Sequence, residues 1–256
     1  MFQRAIVKLP CAAMAKGLTS HPELGAPDYT KALAQHAAYQ KVLKDCGLDV
    51  TVLPADEAFP DSCFVEDPAL LTPQLAIVTS PGAPSRHGET EAIEAALEGF
   101  YPSDKIRRIF EPGTLDGGDV MFCDATCYVG VSARTNPDGV RQLSALLTPL
   151  GYAVIPVKLH DGLHLKSSVA YLGHDTLLAT GELLTALEFR NYKKIEVLKE
   201  EEYAANCVDL NGTIVVPEGF PKTRASIDAA GFKTVACDVS EFRKLDGGLS
   251  CLSLRF

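Results

Sequence analysis

The sequence predicts an α/β protein built as a closed ring of five similar units, and two observations carry that reading. One grammar recurs along the chain: a polar or glycine-containing lead-in, a strand, a tight turn, a second strand, a loop, a helix and a third strand. Its period is roughly 40–55 residues, the signature of units stacked around an axis or along a solenoid. The repeat is also incomplete at both ends in complementary ways. The chain begins with a strand, helix and strand that lack a first strand, and it finishes on a first strand with nothing after it. The two ends therefore complete one shared unit. With four internal units this closes a five-bladed ring of ββαβ repeats in a single domain over residues 1–256.

Taken in order, residues 5–9 read as a strand, a loop runs through Gly17-Leu18-Thr19-Ser20, and helical spacing of Leu33, His36, Tyr39, Val42 and Leu43 predicts a helix over 29–45. Residues 48–53 return as a strand. First strands of the later units centre near Glu66, Asp119, Ser168, Cys207 and Cys251. Second strands fall at 75–79, 128–132, 176–180 and 213–217, and helices at 89–97 and 137–147. Near the C-terminus Gly247-Gly248 lets the backbone turn with φ above zero or pass close to something bulky. Leu249-Ser250-Cys251-Leu252-Ser253-Leu254 then alternates as a strand, with Ser250, Leu252 and Leu254 on one face and Cys251 on the other.

Composition narrows the function classes. An apolar fraction of 46% suffices for a sizeable core, and a net charge of −9 argues against nucleic acid as a partner. No stretch is long enough for a signal peptide or a membrane span, so a cytoplasmic protein with no membrane partner is expected. The 8 cysteines are then expected to be reduced, with Cys123 and Cys127 flanking a turn rather than holding a structural zinc. No phosphate loop or dinucleotide fingerprint is present, and no cofactor is expected.

The chemistry-bearing residues gather at the lead-ins. Phe59-Pro60-Asp61-Ser62-Cys63-Phe64-Val65-Glu66-Asp67 carries three acids. On a strand Glu66 and Asp67 point to opposite faces, so at least one faces inward and needs a cation, which a substrate can supply. Asp61 also reads as a solvated edge. Asp116-Gly117-Gly118-Asp119 sets two acids around glycines, where Asp119 also reads as a turn residue bonding local amides. His164 stands between leucines, the place of a core histidine or of an acid/base. Cys251, alone, reads first as a small buried apolar residue. Cysteine, histidine and carboxylates at corresponding places in separate units nevertheless compose a nucleophile, an acid/base and a clamp for a cationic group. Arg86 and Arg134 follow second strands at corresponding positions, and an inward pair would take a carboxylate. The matching ligand is cationic at one end and anionic at the other, like arginine.

At these residues the chain resembles the dimethylarginine dimethylaminohydrolases of the pentein superfamily, from the N-terminal strand to Phe256. The match is carried by Phe64-Val65-Glu66-Asp67, Gly113-Thr114-Leu115-Asp116-Gly117-Gly118-Asp119-Val120, Leu163-His164-Leu165-Lys166 and Asp246-Gly247-Gly248-Leu249-Ser250-Cys251. The resemblance implies a five-bladed α/β propeller and hydrolysis of N-methylated arginines to citrulline and a methylamine. It also implies Cys251 as nucleophile, His164 as general acid/base and Asp116 as its carboxylate, where some members carry glutamate. Glu66 and Asp67 would hold the guanidinium. Asp61 and the backbone around Leu18 and Leu245 would surround the amino-acid end, and Arg86 and Arg134 would bind the carboxylate. No metal is required, and zinc at Cys251 is expected to inhibit. The implied partner is the small-molecule substrate, with the protein a monomer or homodimer. A deiminase for free arginine and a non-catalytic, partner-binding propeller are the competing readings. The paired Cys251 and His164 oppose the latter.

Overall fold

The computed structural model describes residues 1–160 and 162–256. The chain starts with β1 (Arg4–Lys8), α1 (Tyr29–Asp45) and β2 (Asp49–Leu53). β3 (Ala69–Leu71), β4 (Ala76–Val78), α2 (Glu89–Leu97) and β5 (Ile106–Arg108) follow. Next come β6 (Val120–Cys123), β7 (Thr126–Val131), α3 (Pro137–Leu147) and β8 (Ala153–Lys158). β9 (Val169–Gly173), β10 (Thr176–Ala179) and β11 (Lys193–Glu196) precede β12 (Val208–Leu210), β13 (Thr213–Pro217), α4 (Pro221–Ala229) and β14 (Lys233–Cys237). The short α5 (Ser240–Arg243) and β15 (Leu254–Arg255) end the chain.

These strands form five three-stranded sheets, ordered β15-β1-β2, β3-β4-β5, β6-β7-β8, β9-β10-β11 and β12-β13-β14. In each, the middle strand is antiparallel to the first and parallel to the third. A parallel pair needs a crossover, which explains the helix between second and third strands. Local sequence starts these helices: Asp28 accepts the Lys31 N–H at the head of α1, and Asn136 accepts the Gly139 N–H ahead of Pro137 in α3. Five apolar clusters lie between the sheets, each joining two neighbours. Val7 meets Val215, Ile77 meets Val129, Tyr128 meets Leu177, Leu178 meets Ile214, and Ile6 meets Ala69 and Val78. The chain of neighbours returns to its start, so the sheets are blades of a closed five-bladed α/β propeller. At the seam Ala5 pairs with Arg255 and Ile6 with Leu254.

Three expectations change. Helices α1, α2 and α3 hold the expected bounds, but the β9–β11 blade crosses over through 3-10 turns at Gly181–Leu184 and Leu187–Phe189 rather than a helix. First strands are shorter and begin later than expected, at Ala69, Val120, Val169, Val208 and Leu254. The expected strand over 249–254 is a 3-10 turn, Ser250–Leu252, followed by two residues of strand. Charged side chains at the lead-ins take up backbone amides that a ladder would otherwise use, which bends the chain into turns. Cys123 and Cys127 flank the β6–β7 turn and enter different apolar clusters. No helix among the described residues is long and apolar enough to cross a membrane.

Candidate active site

The late start of every first strand puts the predicted residues on the turns that converge at the ring's middle. Asp67, on the turn before β3, accepts the Gly118 N–H at 2.9 Å through Oδ1 and an Arg86 N–H at 2.5 Å through Oδ2. Asp116, fully buried, accepts the Gly82 N–H at 2.8 Å, and its other oxygen lies 2.9 Å from His164 Nε2. Asp119 turns away to accept the Leu165 N–H at 2.9 Å and the Ser132 hydroxyl at 2.7 Å, and so fixes the loop that carries His164. Close approach explains Gly118: a Cβ there would sit 2.6 Å from His164 Nδ1 and 2.9 Å from Asp67 Oδ1.

Cys251 lies in the Ser250–Leu252 turn, and the Gly248 N–H points at its Sγ from 3.4 Å. Gly247-Gly248 serves close passage rather than positive φ, since Cβ atoms there would lie 2.1 Å from the Phe64 ring and 2.3 Å from Asn206 Cγ. The charges around the thiol set its state. Burial, then Glu66 and Asp67, push the Cys251 thiol up to about 12, against the Gly248 N–H and Lys166. For His164 burial opposes charge, but Asp67, Asp116 and Asp119 outweigh it and raise the imidazolium to about 9. Asp67 stays below the ordinary carboxylate range because His164 and Arg86 outweigh its burial. A neutral thiol thus faces a protonated histidine.

Leu18, Asp61, Phe64, Asp67, Arg86, Arg134, Leu163, His164, Leu245, Asp246, Gly247 and Cys251 line one cavity of about 40 Å³. A broader cavity of about 820 Å³ adjoins it at Leu163 and Asp246. Cys251, His164 and Asp67 line the small cavity and not the broader one, so the chemistry belongs to the small one. The Leu18 N–H donates to Asp61 at 3.0 Å, and Ser20 donates to Asp246 through its N–H at 2.6 Å and its hydroxyl at 2.9 Å.

The two arginines are unequal. Arg86 is buried against Asp67 and Glu89, with further bonds to the Asp61 and Phe64 carbonyls. Arg134 reaches only to 3.9 Å from Asp116 and keeps more of its fork open. Glu66 departs from the expected role. It is buried, but its oxygens go to Lys166 Nζ at 2.6 Å, the Ser250 hydroxyl at 2.7 Å and Arg255 at 3.0 Å, and it does not line the small cavity. Strand alternation does not apply on the turn that carries Glu66, and here the chain itself supplies the cations that face it. Among the described residues, the metal-like grouping is Asp67, Asp116 and His164, with ligand atoms within 4.8 Å. Cys251 stands outside it. Sequence reading missed Asn206, which sits before β12 at the lead-in position of its blade. The repeat was the signal that pointed there.

The family model for eukaryotic N,N dimethylarginine dimethylhydrolase matches residues 27–253. The chain is 49% identical to the N(G),N(G)-dimethylarginine dimethylaminohydrolase of Pseudomonas aeruginosa over 100% of both chains. It is 38% identical to that of Streptomyces coelicolor over 99% of this chain and 96% of the relative. Two solved structures superpose with a TM-score of 0.97 at 49% identity over 100% of both chains: a cysteine-to-serine variant of the Pseudomonas aeruginosa enzyme with citrulline, and a dimethylarginine dimethylaminohydrolase histidine-to-glycine adduct with S-methyl-L-thiocitrulline. The N-terminal domain of the cyanobacterial arginine dihydrolase ArgZ shares the fold at 19% identity, with a TM-score of 0.86 over 98% of this chain and 97% of that one. With the family model and a full-length relative at this identity both converging on it, the chain belongs to the dimethylarginine dimethylaminohydrolase family.

Proposed function

We propose that this protein hydrolyses N-methylated arginines to citrulline and a methylamine through a covalent intermediate on Cys251. The single observation that carries it is the gathering of a buried cysteine, an acid-paired histidine, three carboxylates and two arginines around one small cavity. The Pseudomonas relative with citrulline and a dimethylarginine dimethylaminohydrolase adduct with S-methyl-L-thiocitrulline support the same reading.

The buried charges dictate the order of events. A cavity of about 40 Å³ holds no more than a few waters, so an arginine-sized molecule needs the surrounding loops to part, and the Leu18–Asp61 and Ser20–Asp246 contacts are ties such a movement would break. Asp67 then meets the guanidinium, Asp61 and the Leu18 and Leu245 backbone flank the amino-acid end, and Arg134 with Arg86 behind it meets the carboxylate. A thiol held near 12 is neutral in the free protein, so the bound cation must stabilise the thiolate, whose proton passes to solvent as the substrate enters. The thiolate sulfur attacks the guanidinium carbon. His164, protonated beside Asp116, gives its proton to the departing amine as the C–N bond breaks and leaves an S-alkylthiouronium. Neutral His164 then takes a proton from water, which attacks the same carbon. The C–S bond breaks, the ureido product gives up its extra proton as it leaves, and the neutral thiol is restored.

The test supplies asymmetric dimethylarginine or arginine in separate reactions and measures citrulline, dimethylamine and ammonia. Citrulline with dimethylamine from the first, lost in Cys251→Ser, is expected. Citrulline and ammonia from arginine alone would make the protein a deiminase. His164→Gly should lower turnover by about 10²–10⁴-fold. With an analogue that has a better leaving group, the variant should gain mass on Cys251; an adduct on another cysteine would end the mechanism.

A further inference from the structure

The Cys251 turn is shaped from outside itself. Its own backbone bonds are long, 3.2 Å from Cys251 N–H to Gly248 and 3.4 Å from Leu252 N–H to Leu249. Three other parts of the ring hold it instead. From the lead-in before β12, Asn206 accepts the Ser250 N–H at 3.0 Å and donates to the Ser250 hydroxyl at 3.2 Å. From the lead-in before β3, Glu66 accepts that hydroxyl at 2.7 Å, while its backbone N–H donates to the Cys251 carbonyl at 3.2 Å. From the seam strand, Arg255 donates to Glu66 at 3.0 Å, to the Ser250 carbonyl at 3.0 Å and to the Ser253 carbonyl and hydroxyl at 2.8 Å each. The N–H, carbonyl and hydroxyl of Ser250 are therefore all engaged by other lead-ins and by the closing strand.

We propose that Asn206 and Arg255, acting through Ser250 and Glu66, are positioning residues that fix the orientation of the nucleophile-bearing turn. The inference rests on the cysteine-hydrolase reading above. Neither side chain lines the cavity that holds Cys251, so neither meets the substrate directly. Both are committed to the residue next to the nucleophile, and the planar fork of Arg255 spans Glu66 and two carbonyls in one geometry that a lysine cannot copy. The arrangement also links closure of the ring to the reacting sulfur, because β15 carries Arg255 and pairs with β1.

The experiment compares the full-length protein with Asn206→Ala, Arg255→Lys and the milder Ser250→Ala, each first checked for a native circular-dichroism melt. Displacing a reacting atom by about 1 Å costs on the order of a hundredfold. With a methylated arginine, Asn206→Ala and Arg255→Lys should lose roughly ten- to a hundredfold in kcat while KM stays within about threefold. A merely structural charge partner for Glu66 would leave Arg255→Lys at the parent kcat. Parent kcat in both variants, or a rise in KM alone, overturns the proposal. Should the two fail to fold, Ser250→Ala decides by the same criterion. The labelling rate of Cys251 by iodoacetamide, read by intact mass, separates this from the function itself. A protein that hydrolyses no guanidino compound sinks the functional reading. Labelling that then differs more than threefold between parent and variants keeps the positioning role, and equal rates remove it.

Discussion

Asp67 carries its charge where almost no water reaches, and two cations make that tolerable: Arg86 at 2.5 Å and the imidazolium of His164. Removing the charge should therefore act twice. In Asp67→Asn the guanidinium loses its partner, and His164 loses the carboxylate that contributes most to holding its proton. Turnover should fall by about a hundredfold or more with the fold intact, since Glu89 still pairs Arg86. The His164 proton should also leave at a lower pH. In the parent the general acid is lost as pH rises through about 9, so an NMR titration of the ring should show a midpoint well below that in the variant. An unmoved midpoint would return Asp67 to a purely structural place. The open fork of Arg134 makes a second claim. Agmatine, which lacks the carboxylate of arginine, should lose a charge-assisted contact of about 1.5–3 kcal/mol, or ten- to a hundredfold in kcat/KM. Equal kcat/KM for the two compounds would refute that assignment. The sequence revealed most of these side chains because unlike residue types recur at one position of a repeat. The same reasoning reaches less far for Glu66: a carboxylate inside an apolar run announces a buried cation without telling whether Lys166 and Arg255 or a ligand provides it.

Helices and second strands were legible in the sequence because their periodicities run for many residues, whereas the first strands were overextended. Ser250, Cys251 and Leu252 alternate like a strand, yet Asn206, Glu66 and Arg255, distant in sequence, capture the polar groups of Ser250 and curl the segment into a turn. Helix α1 shows a different consequence of burial. Its spacing marked His36 as a core position, and the ring is fully buried beside Phe242, with Gln40 at 3.0 Å from Nδ1 and no partner for Nε2. Desolvation lowers this histidine from 6.5 to about 4. The unfolded chain therefore takes up a proton that the folded one refuses. The contribution to stability is whole above about pH 6.5, shrinks as the pH falls, and levels off below about 4, where the loss has reached about 3 kcal/mol. His36→Leu should flatten the loss of stability between pH 7 and pH 4.5, and it should gain more at pH 5 than at pH 8. Urea unfolding at the two pH values measures both, and an equal shift at each would show that the helix does not carry the linkage.

Across the whole molecule, the seam is the feature that sets one blade apart. In the other four blades a hairpin joins first and second strands, while β15 and β1 form the same antiparallel pair with the chain ends between them. Both ends lie side by side, the Gln3 N–H donating to the Phe256 carbonyl at 2.8 Å. Five apolar clusters join the blades around the ring, and none depends on which hairpin is covalent. The seam should therefore be movable. A circular permutant that joins residues 256 and 1 through roughly four flexible residues and opens the β9–β10 turn between His174 and Asp175 would transfer the break to another blade. That turn holds both residues at φ 52°, a left-handed conformation that costs energy for residues with a side chain, so opening it releases some strain. It lies at the far end of β9 from His164, and it leaves Arg255, Ser250 and Cys251 connected as before. The permutant should melt cooperatively and keep its rate of citrulline release from methylated arginine within about tenfold, the loss coming from a less constrained β9–β10 pair rather than from the site. A chain that fails to fold would mean that the hairpin in this blade, rather than closure of the ring, is what holds the propeller together.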